Sequence, residues 1–340
     1  MSGKIRIIQY GVGPIGAAIV RLMLQKPQLQ IVGAIDVDPA KVGQDLGVTV
    51  GCGRELGVKI SNDADAVLAG GADVAVHTTS SYLHQVSEQL KRCLNAGVGV
   101  VSTCEELAYP FRKHPQLSRE LDRLAQQKRV AVLGTGVNPG FAMDKLALTL
   151  AAACQSVSQV RVRRIVDAAR RRLPLQQKVG AGLTPEEFRA LVAKGEIKHH
   201  GLPESTAMIA DSLGIAVDDI RETIEPVIAA AEVRSEFLEV AKGHVAGVRQ
   251  VARGLSSGNE NIYLELEMYL GAPATLDSIS ISGVPKLELT IAGGIHGDLA
   301  TAAITVNCIP EILSARPGLR TSRDIPMCYY SGLPEMGSSR

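Results

Sequence analysis

The chain has 340 residues, 46% of them apolar and 21% charged, and its 36 Lys and Arg against 35 Asp and Glu leave a formal net charge of +1. Such a composition excludes disordered and low-complexity classes, and the balanced charge supplies no field for nucleic acid or an anionic membrane. The length exceeds that of one core, which stops growing at about 250 to 300 residues, so two domains with a cleft between them are expected.

No apolar run reaches the roughly 18 residues of a membrane helix, and the start, Met-Ser-Gly-Lys-Ile-Arg-Ile-Ile, reads as the approach to a strand rather than a signal peptide. The expectation is a cytoplasmic protein. Cys52, Cys93, Cys104, Cys154, Cys308 and Cys328 occur singly, without a Cys-x-x-Cys pair or a nearby His at ligand spacing. They are read as reduced, mostly buried thiols, with no metal site and no disulfide framework.

Residues 4–10 form a β-rich run that meets Gly11-Val12-Gly13-Pro14-Ile15-Gly16, after which Ala17–Leu24 has helical apolar spacing. In this strand-turn-helix context the first glycine permits the tight turn, the second lets backbone approach a pyrophosphate, and the third lets helix pack on strand. The helix N-terminus then presents unpaired N–H groups to phosphate. A second strand, Leu29–Ile35, ends in Asp36, twenty residues beyond Gly16, where an acid meets the adenosine ribose hydroxyls. The competing reading, a plain turn with Asp36 capping the next segment, leaves the order of strand, helix and acid unexplained. The charge on Asp36 opposes a 2′-phosphate and favours NAD over NADP, although Lys41 is near enough in sequence to turn toward a phosphate.

Further short apolar runs, Ala72–His77, Gly99–Ser102 and Val130–Leu133, alternate with helical patterns around Tyr82–Ala96 and Leu117–Gln127. The alternation predicts an α/β, Rossmann-type, doubly wound parallel sheet, whose ligands sit beyond the carboxyl ends of the strands. That places Thr78, Thr79 and Ser80 with the cofactor candidates, Glu105 and Glu106 after the next strand, and Asn138 within Gly134-Thr-Gly-Val-Asn-Pro-Gly140. A carboxylate at Glu105 or Glu106 suits an amine or imine substrate, holding a cationic nitrogen and accepting its proton. The bland alternative is that one caps the next helix and the other is solvated. The Asn138 amide can pair with a carboxamide, or can be a turn residue before proline. His77 and His84 are read as structural.

From Val157 the pattern becomes strand-like, as in Val160–Arg163, Ile262–Leu270 and Leu287–Ala292, fitting a C-terminal α+β domain for substrate binding and dimerisation. Thr184-Pro-Glu-Glu187 is a helix start with a capping box, and with a second helix near Pro203–Leu213 it reads as a helical pair covering the cleft. Arg161, Arg163, Arg164, Arg170, Arg171 and Arg172 are read as a solvated face. Gly293–Asp298 leads to a helix over Ala300–Leu313 that returns to the first domain or forms a dimer contact. The expected division is 1–145 for the dinucleotide domain, completed by about 298–340, and 146–297 for the second, with a helical insertion at about 184–214. Glu335–Arg340 reads as a mobile end.

Five segments together resemble the 2,4-diaminopentanoate dehydrogenase group, which includes native amine dehydrogenases and shares its N-terminal domain with dihydrodipicolinate reductases. They are Gly11–Gly16, Ser102-Thr-Cys-Glu-Glu-Leu-Ala-Tyr-Pro110, Gly134-Thr-Gly-Val-Asn-Pro-Gly-Phe141, Leu183-Thr-Pro-Glu-Glu-Phe188 and Gly294-Ile-His-Gly-Asp-Leu299. The resemblance spans nearly the whole chain and implies interconversion of a small amine with a ketone or aldehyde plus ammonia, using NAD(H) and/or NADP(H). It assigns the amine nitrogen to Glu105, with Glu106 in reserve, the cofactor to Gly11, Gly13, Gly16 and Asp36, and the nicotinamide side to Asn138. The alternatives are a dehydrogenase of the diamino acid itself, a reductase of another C=X bond, and a dinucleotide-sensing protein without catalysis. A homodimer is the expected assembly.

Overall fold

The computed structural model describes residues 3–330; the expected mobile end, Glu335–Arg340, lies outside them. The chain forms two compact units: unit 1 runs to Phe141 and resumes at His296, and unit 2 is Ala142–Ile295.

Unit 1 is built on a parallel sheet of β1 (Ile5–Tyr10), β2 (Leu29–Ile35), β3 (Ile60–Ser61), β4 (Val74–His77), β5 (Gly99–Ser102), β6 (Ala131–Gly134) and a last strand, Gly318–Arg320. Their order across the sheet is last strand, β6, β5, β4, β1, β2, β3. Every residue of β4, β5 and β6 is buried, because alternate residues enter different cores. Ile7, Val74, Val76, Val101 and Leu133 pack with Ile19, Val20 and Met23 of the helix Pro14–Met23 and with Val306 and Ile309. Ile8, Ala75, Val100 and Val132 pack on the other face with Leu83, Val86, Leu90, Leu121 and Ala125. Helices on both faces make this the doubly wound sheet that the alternation predicts. The expected single helix over Ala300–Leu313 is two, Gly297–Asn307 and Ile309–Ser314, because Pro310 has no N–H to give to the preceding turn and its ring crowds that turn's carbonyl. No helix among the described residues is long and apolar enough to cross a membrane.

Unit 2 carries a mixed sheet of β7 (Ser156–Asp167), β8 (Asp219–Ile228), β11 (Val245–Ser256), β12 (Asn259–Tyr269), β13 (Leu276–Val284) and β14 (Leu287–Ala292), with a two-stranded ribbon of β9 (Val233–Arg234) and β10 (Glu239–Val240). Its order is β14, β13, β7, β12, β11, β8; β7 and β12 are parallel and the other pairs antiparallel. Period-2 alternation sends Val160, Val162, Val248, Leu264, Leu266 and Ile279 into a core with Phe188, Leu202 and Ile209 of the helices Pro185–Ala193 and Leu202–Leu213. The first of these helices has the complete capping box of Thr184 and Glu187.

The arginine cluster is not one solvated face. Arg161 and Arg163 are about half exposed, but Arg164 lies on the core side of β7 between Val162 and Val166, and its side chain is 4% exposed. Arg171 is buried too. The Arg164 Nη1 donates to Asp277 Oδ1 at 2.6 Å, and Asp277 Oδ2 accepts from the Ile295 N–H at 2.7 Å. Burial pushes the guanidinium below its ordinary value and the Asp277 charge works against that. Breaking a buried pair strands a charge and costs about 3–5 kcal/mol, whereas replacing both partners with apolar groups is often close to neutral. Asp277→Asn is therefore expected to lower the urea unfolding free energy by about 3 kcal/mol, and the double variant Arg164→Met/Asp277→Leu to recover most of that loss.

Candidate active site

In unit 1 the strand order reverses between β1 and β4, so the segments following β1, β4, β5 and β6 emerge side by side at one edge, the usual ligand position in an open parallel sheet. Gly11 has φ +91°, which suits glycine. A side chain at Gly16 would run into the Gly11 carbonyl. From beneath, Gln9 Nε2 donates to the Gly11 carbonyl at 2.7 Å and to Thr78 Oγ1 at 3.0 Å, and Thr78 Oγ1 donates to the same carbonyl at 2.8 Å. Gln9 is a contributor that sequence reasoning missed, since a polar residue in an apolar strand carries no motif.

Gly13 caps the helix Pro14–Met23 with extended backbone and no side-chain cap, Pro14 has no N–H to satisfy, and a Cβ on Gly13 would meet nothing within 4 Å. The N–H groups that follow, at Ile15 and Gly16, open the helix as an uncapped N-terminus, the arrangement that accepts phosphate. Asp36 is fixed by the Val12 N–H at 2.7 Å and the Asp38 N–H at 2.9 Å, and Lys41 is drawn to it at 3.5 Å and to Asp38 at 3.1 Å. The Thr79 and Ser80 hydroxyls bond to the following helix at the surface: Thr79 Oγ1 donates to Gln89 Oε1 at 2.6 Å and Ser80 Oγ to Gln85 Oε1 at 2.6 Å.

Glu105 and Glu106 begin a single 3₁₀ turn, Glu105–Ala108, after β5. Consecutive positions of such a turn point in different directions, and their environments differ accordingly. Glu106 is 2% exposed and accepts from the Leu83 N–H at 2.8 Å, Lys113 Nζ at 2.6 Å and His114 Nε2 at 2.9 Å. Burial opposes its charge, but Lys113, the Leu83 N–H and His114 together hold the carboxyl below the usual range. Glu105 is only partly buried. Cys104, one residue earlier, is buried, and burial pushes its thiol up to about 12, which leaves it a protonated and unreactive neighbour.

Asn138 is 8% exposed, and both its side-chain oxygen and nitrogen are buried without a partner among the described residues. An unsatisfied buried amide costs about 1–3 kcal/mol and calls for an explanation; a carboxamide, which donates and accepts in one plane, is its complement. The uncapped helix end, the anchored Asp36 and the orphaned Asn138 amide thus fit the phosphates, ribose and nicotinamide of a dinucleotide. His84 is exposed and His77 is fully buried.

Residues 141–331 match the family described as 2,4-diaminopentanoate dehydrogenase C-terminal domain, and residues 5–104 match that described as dihydrodipicolinate reductase, N-terminus. The 2,4-diaminopentanoate dehydrogenase of Acetoanaerobium sticklandii is 31% identical over 95% of this chain and 94% of its own length. An amine dehydrogenase of Streptomyces virginiae is 26% identical over 95% of this chain and 96% of its own. The structure of an amine dehydrogenase from Mycobacterium smegmatis superposes with a TM-score of 0.85 at 31% identity, covering 97% of this chain and 98% of that one. With a family match over more than half the chain and a 31% identical relative aligned along nearly all of it, the chain belongs to the 2,4-diaminopentanoate dehydrogenase family.

Proposed function

We propose that this chain is an NAD(P)-dependent amine dehydrogenase, interconverting a small amine and water with a ketone or aldehyde and ammonia. The observation that carries the reading is the difference in exposure between adjacent carboxylates: Glu106 is buried and bound to Leu83, Lys113 and His114, whereas Glu105 keeps exposed surface at the carboxyl end of β5 and is the one of the two that a substrate can reach. A bound dinucleotide supplies hydride exchange with the substrate carbon. Glu105 holds the ammonium through a charge-assisted hydrogen bond and takes its proton, so that the nitrogen lone pair is available as the carbon is oxidised. In the reverse direction the same carboxyl returns that proton. The helix N-terminus after Gly13 holds the phosphates, Asp36 the ribose, and Asn138 the carboxamide, which fixes the plane of the reacting ring.

Asp36 supports NAD as the preferred form. Its carboxylate is held by the Val12 and Asp38 N–H groups, so turning it away from a 2′-phosphate breaks both hydrogen bonds.

A second reading, action on a diamino acid, is supported by the 31% identity to the 2,4-diaminopentanoate dehydrogenase of Acetoanaerobium sticklandii along 95% of this chain.

The first test follows NADH or NADPH absorbance with small ketones, aldehydes and 2-amino-4-oxopentanoate, with and without ammonium at alkaline pH. Ammonium-dependent oxidation is expected; oxidation without ammonium makes the protein a carbonyl reductase, and confirmed dinucleotide binding with no oxidation makes it a sensor. A preference for the carboxylate-bearing substrate selects the diamino acid reading. Glu105→Gln is expected to keep dinucleotide affinity and to lose about 10²–10⁴ in turnover, while Glu106→Gln mainly lowers the thermal midpoint; the opposite pattern moves the catalytic role to Glu106. Asp36→Ser is expected to raise affinity for NADP⁺ relative to NAD⁺ about tenfold, equivalent to about 1.4 kcal/mol, and an unchanged ratio by titration would remove Asp36 from cofactor selection.

A further inference from the structure

Beneath the proposed acid lies a buried polar chain that dinucleotide binding and proton transfer do not use. His77, the last residue of β4, has no exposed surface. Its Nδ1 is 2.9 Å from Ser102 Oγ, and its Nε2 is 2.8 Å from Gln89 Oε1 and 3.0 Å from Thr79 Oγ1. A side-chain carbonyl oxygen only accepts, so Nε2 carries the proton toward Gln89 and Nδ1 accepts from the Ser102 hydroxyl. The Ser102 oxygen in turn accepts the Cys104 N–H at 3.1 Å, one residue before Glu105. The His77 carbonyl also accepts the Thr103 N–H at 3.0 Å. Each link therefore has one direction, running from the helix Leu83–Asn95 through the ends of β4 and β5 to the turn that bears Glu105. Burial pushes the imidazole down to about 4, so it stays neutral near neutral pH and the direction is not reversed.

We propose that His77 and Ser102 are positioning residues for the amine dehydrogenase reaction: the neutral imidazole orients the Ser102 hydroxyl to receive the Cys104 N–H, and that bond sets the 3₁₀ turn from which Glu105 meets the substrate nitrogen. The proposal rests on the reading of Glu105 as the acid. Without the Ser102 oxygen the Cys104 N–H loses its acceptor and the turn can shift, and a displacement of about 1 Å at a catalytic group costs up to about 10²-fold in rate. The dinucleotide loop is held by a separate set, Gln9 and Thr78, which does not include Ser102.

Ser102→Ala in the full-length enzyme is the deciding variant, since it removes one oxygen atom, whereas His77→Asn also disturbs the end of β4. Turnover is expected to fall about tenfold or more, with NAD⁺ affinity by titration within about twofold of the parent. The cycle with Glu105→Gln separates positioning from a general structural effect: residues acting through one group are non-additive, so Ser102→Ala is expected to cost nothing further in the Glu105→Gln background, read by single-turnover rates. The same fold loss in both backgrounds, or parental turnover in Ser102→Ala, would overturn the positioning role and leave Glu105 as the acid. Parental turnover in Glu105→Gln would overturn the reading of Glu105 itself and the proposal with it.

Discussion

The dinucleotide half of the molecule rests on one close approach, that of the helix Pro14–Met23 to the end of β1. A side chain at position 16 would meet the Gly11 carbonyl, the Thr78 hydroxyl and the Gln9 amide, the same groups that hydrogen-bond one another beneath the loop. The glycine there preserves a small polar network as well as space. Because the loop is shaped from below, by β1 and β4, its upper side keeps the N–H groups of an uncapped helix end for a ligand.

The same economy separates structural from functional polar groups along the strand ends. Glu106 is almost wholly removed from water, and three donors repay its desolvation, so it behaves as part of the scaffold: its bond to the Leu83 N–H satisfies the first turn of the helix Leu83–Asn95, which has no side-chain cap at Tyr82. Asn138 is the opposite case, buried with its donors and acceptor unmet among the described residues. A protein interior tolerates such a group where a partner arrives from outside. One site thus holds a fully satisfied carboxylate that fixes geometry and a buried amide without a partner among the described residues, and Glu105 sits next to the first of them in the chain.

Much of unit 1 was legible in the sequence because its signals are local. Short buried runs bounded by glycine and polar residues identified β1, β2, β4, β5 and β6, and with them the strand ends where the candidate site residues lie. What could not be read was the pairing across the fold. Nothing near Glu106 in sequence reveals Leu83 or the geometry of Lys113 and His114, nor that the Thr79 and Ser80 hydroxyls donate to Gln89 and Gln85. In unit 2, β8 was missed because charges fall on both of its faces, Glu222 between Ile220 and Ile224 and Arg221 and Glu225 opposite, and β11 because Gly247, Gly254, Arg249 and Arg253 interrupt its apolar pattern. Arg164 was misread for a related reason: a charge on the core face looks the same in sequence as one on the outer face until its partner, Asp277, is placed beside it.

The arginine-rich strands also show why charge counts misdirect a search for substrate contacts. On the face of the unit 2 sheet away from its helices, Arg163 bridges Glu265 and Glu267, Arg249 bridges Glu265 and Glu225, and Tyr263 lies between the guanidinium groups of Arg161 and Arg253 at 5.1 and 5.4 Å. Rows of opposite sign on neighbouring strands cancel at short range, and what remains is screened within about 10 Å at ordinary ionic strength. The positive charges near His199 are paired as well, Arg164 with Asp277 and Lys198 with Glu222, so the number of arginines on either face of the sheet says little about where a substrate anion would bind.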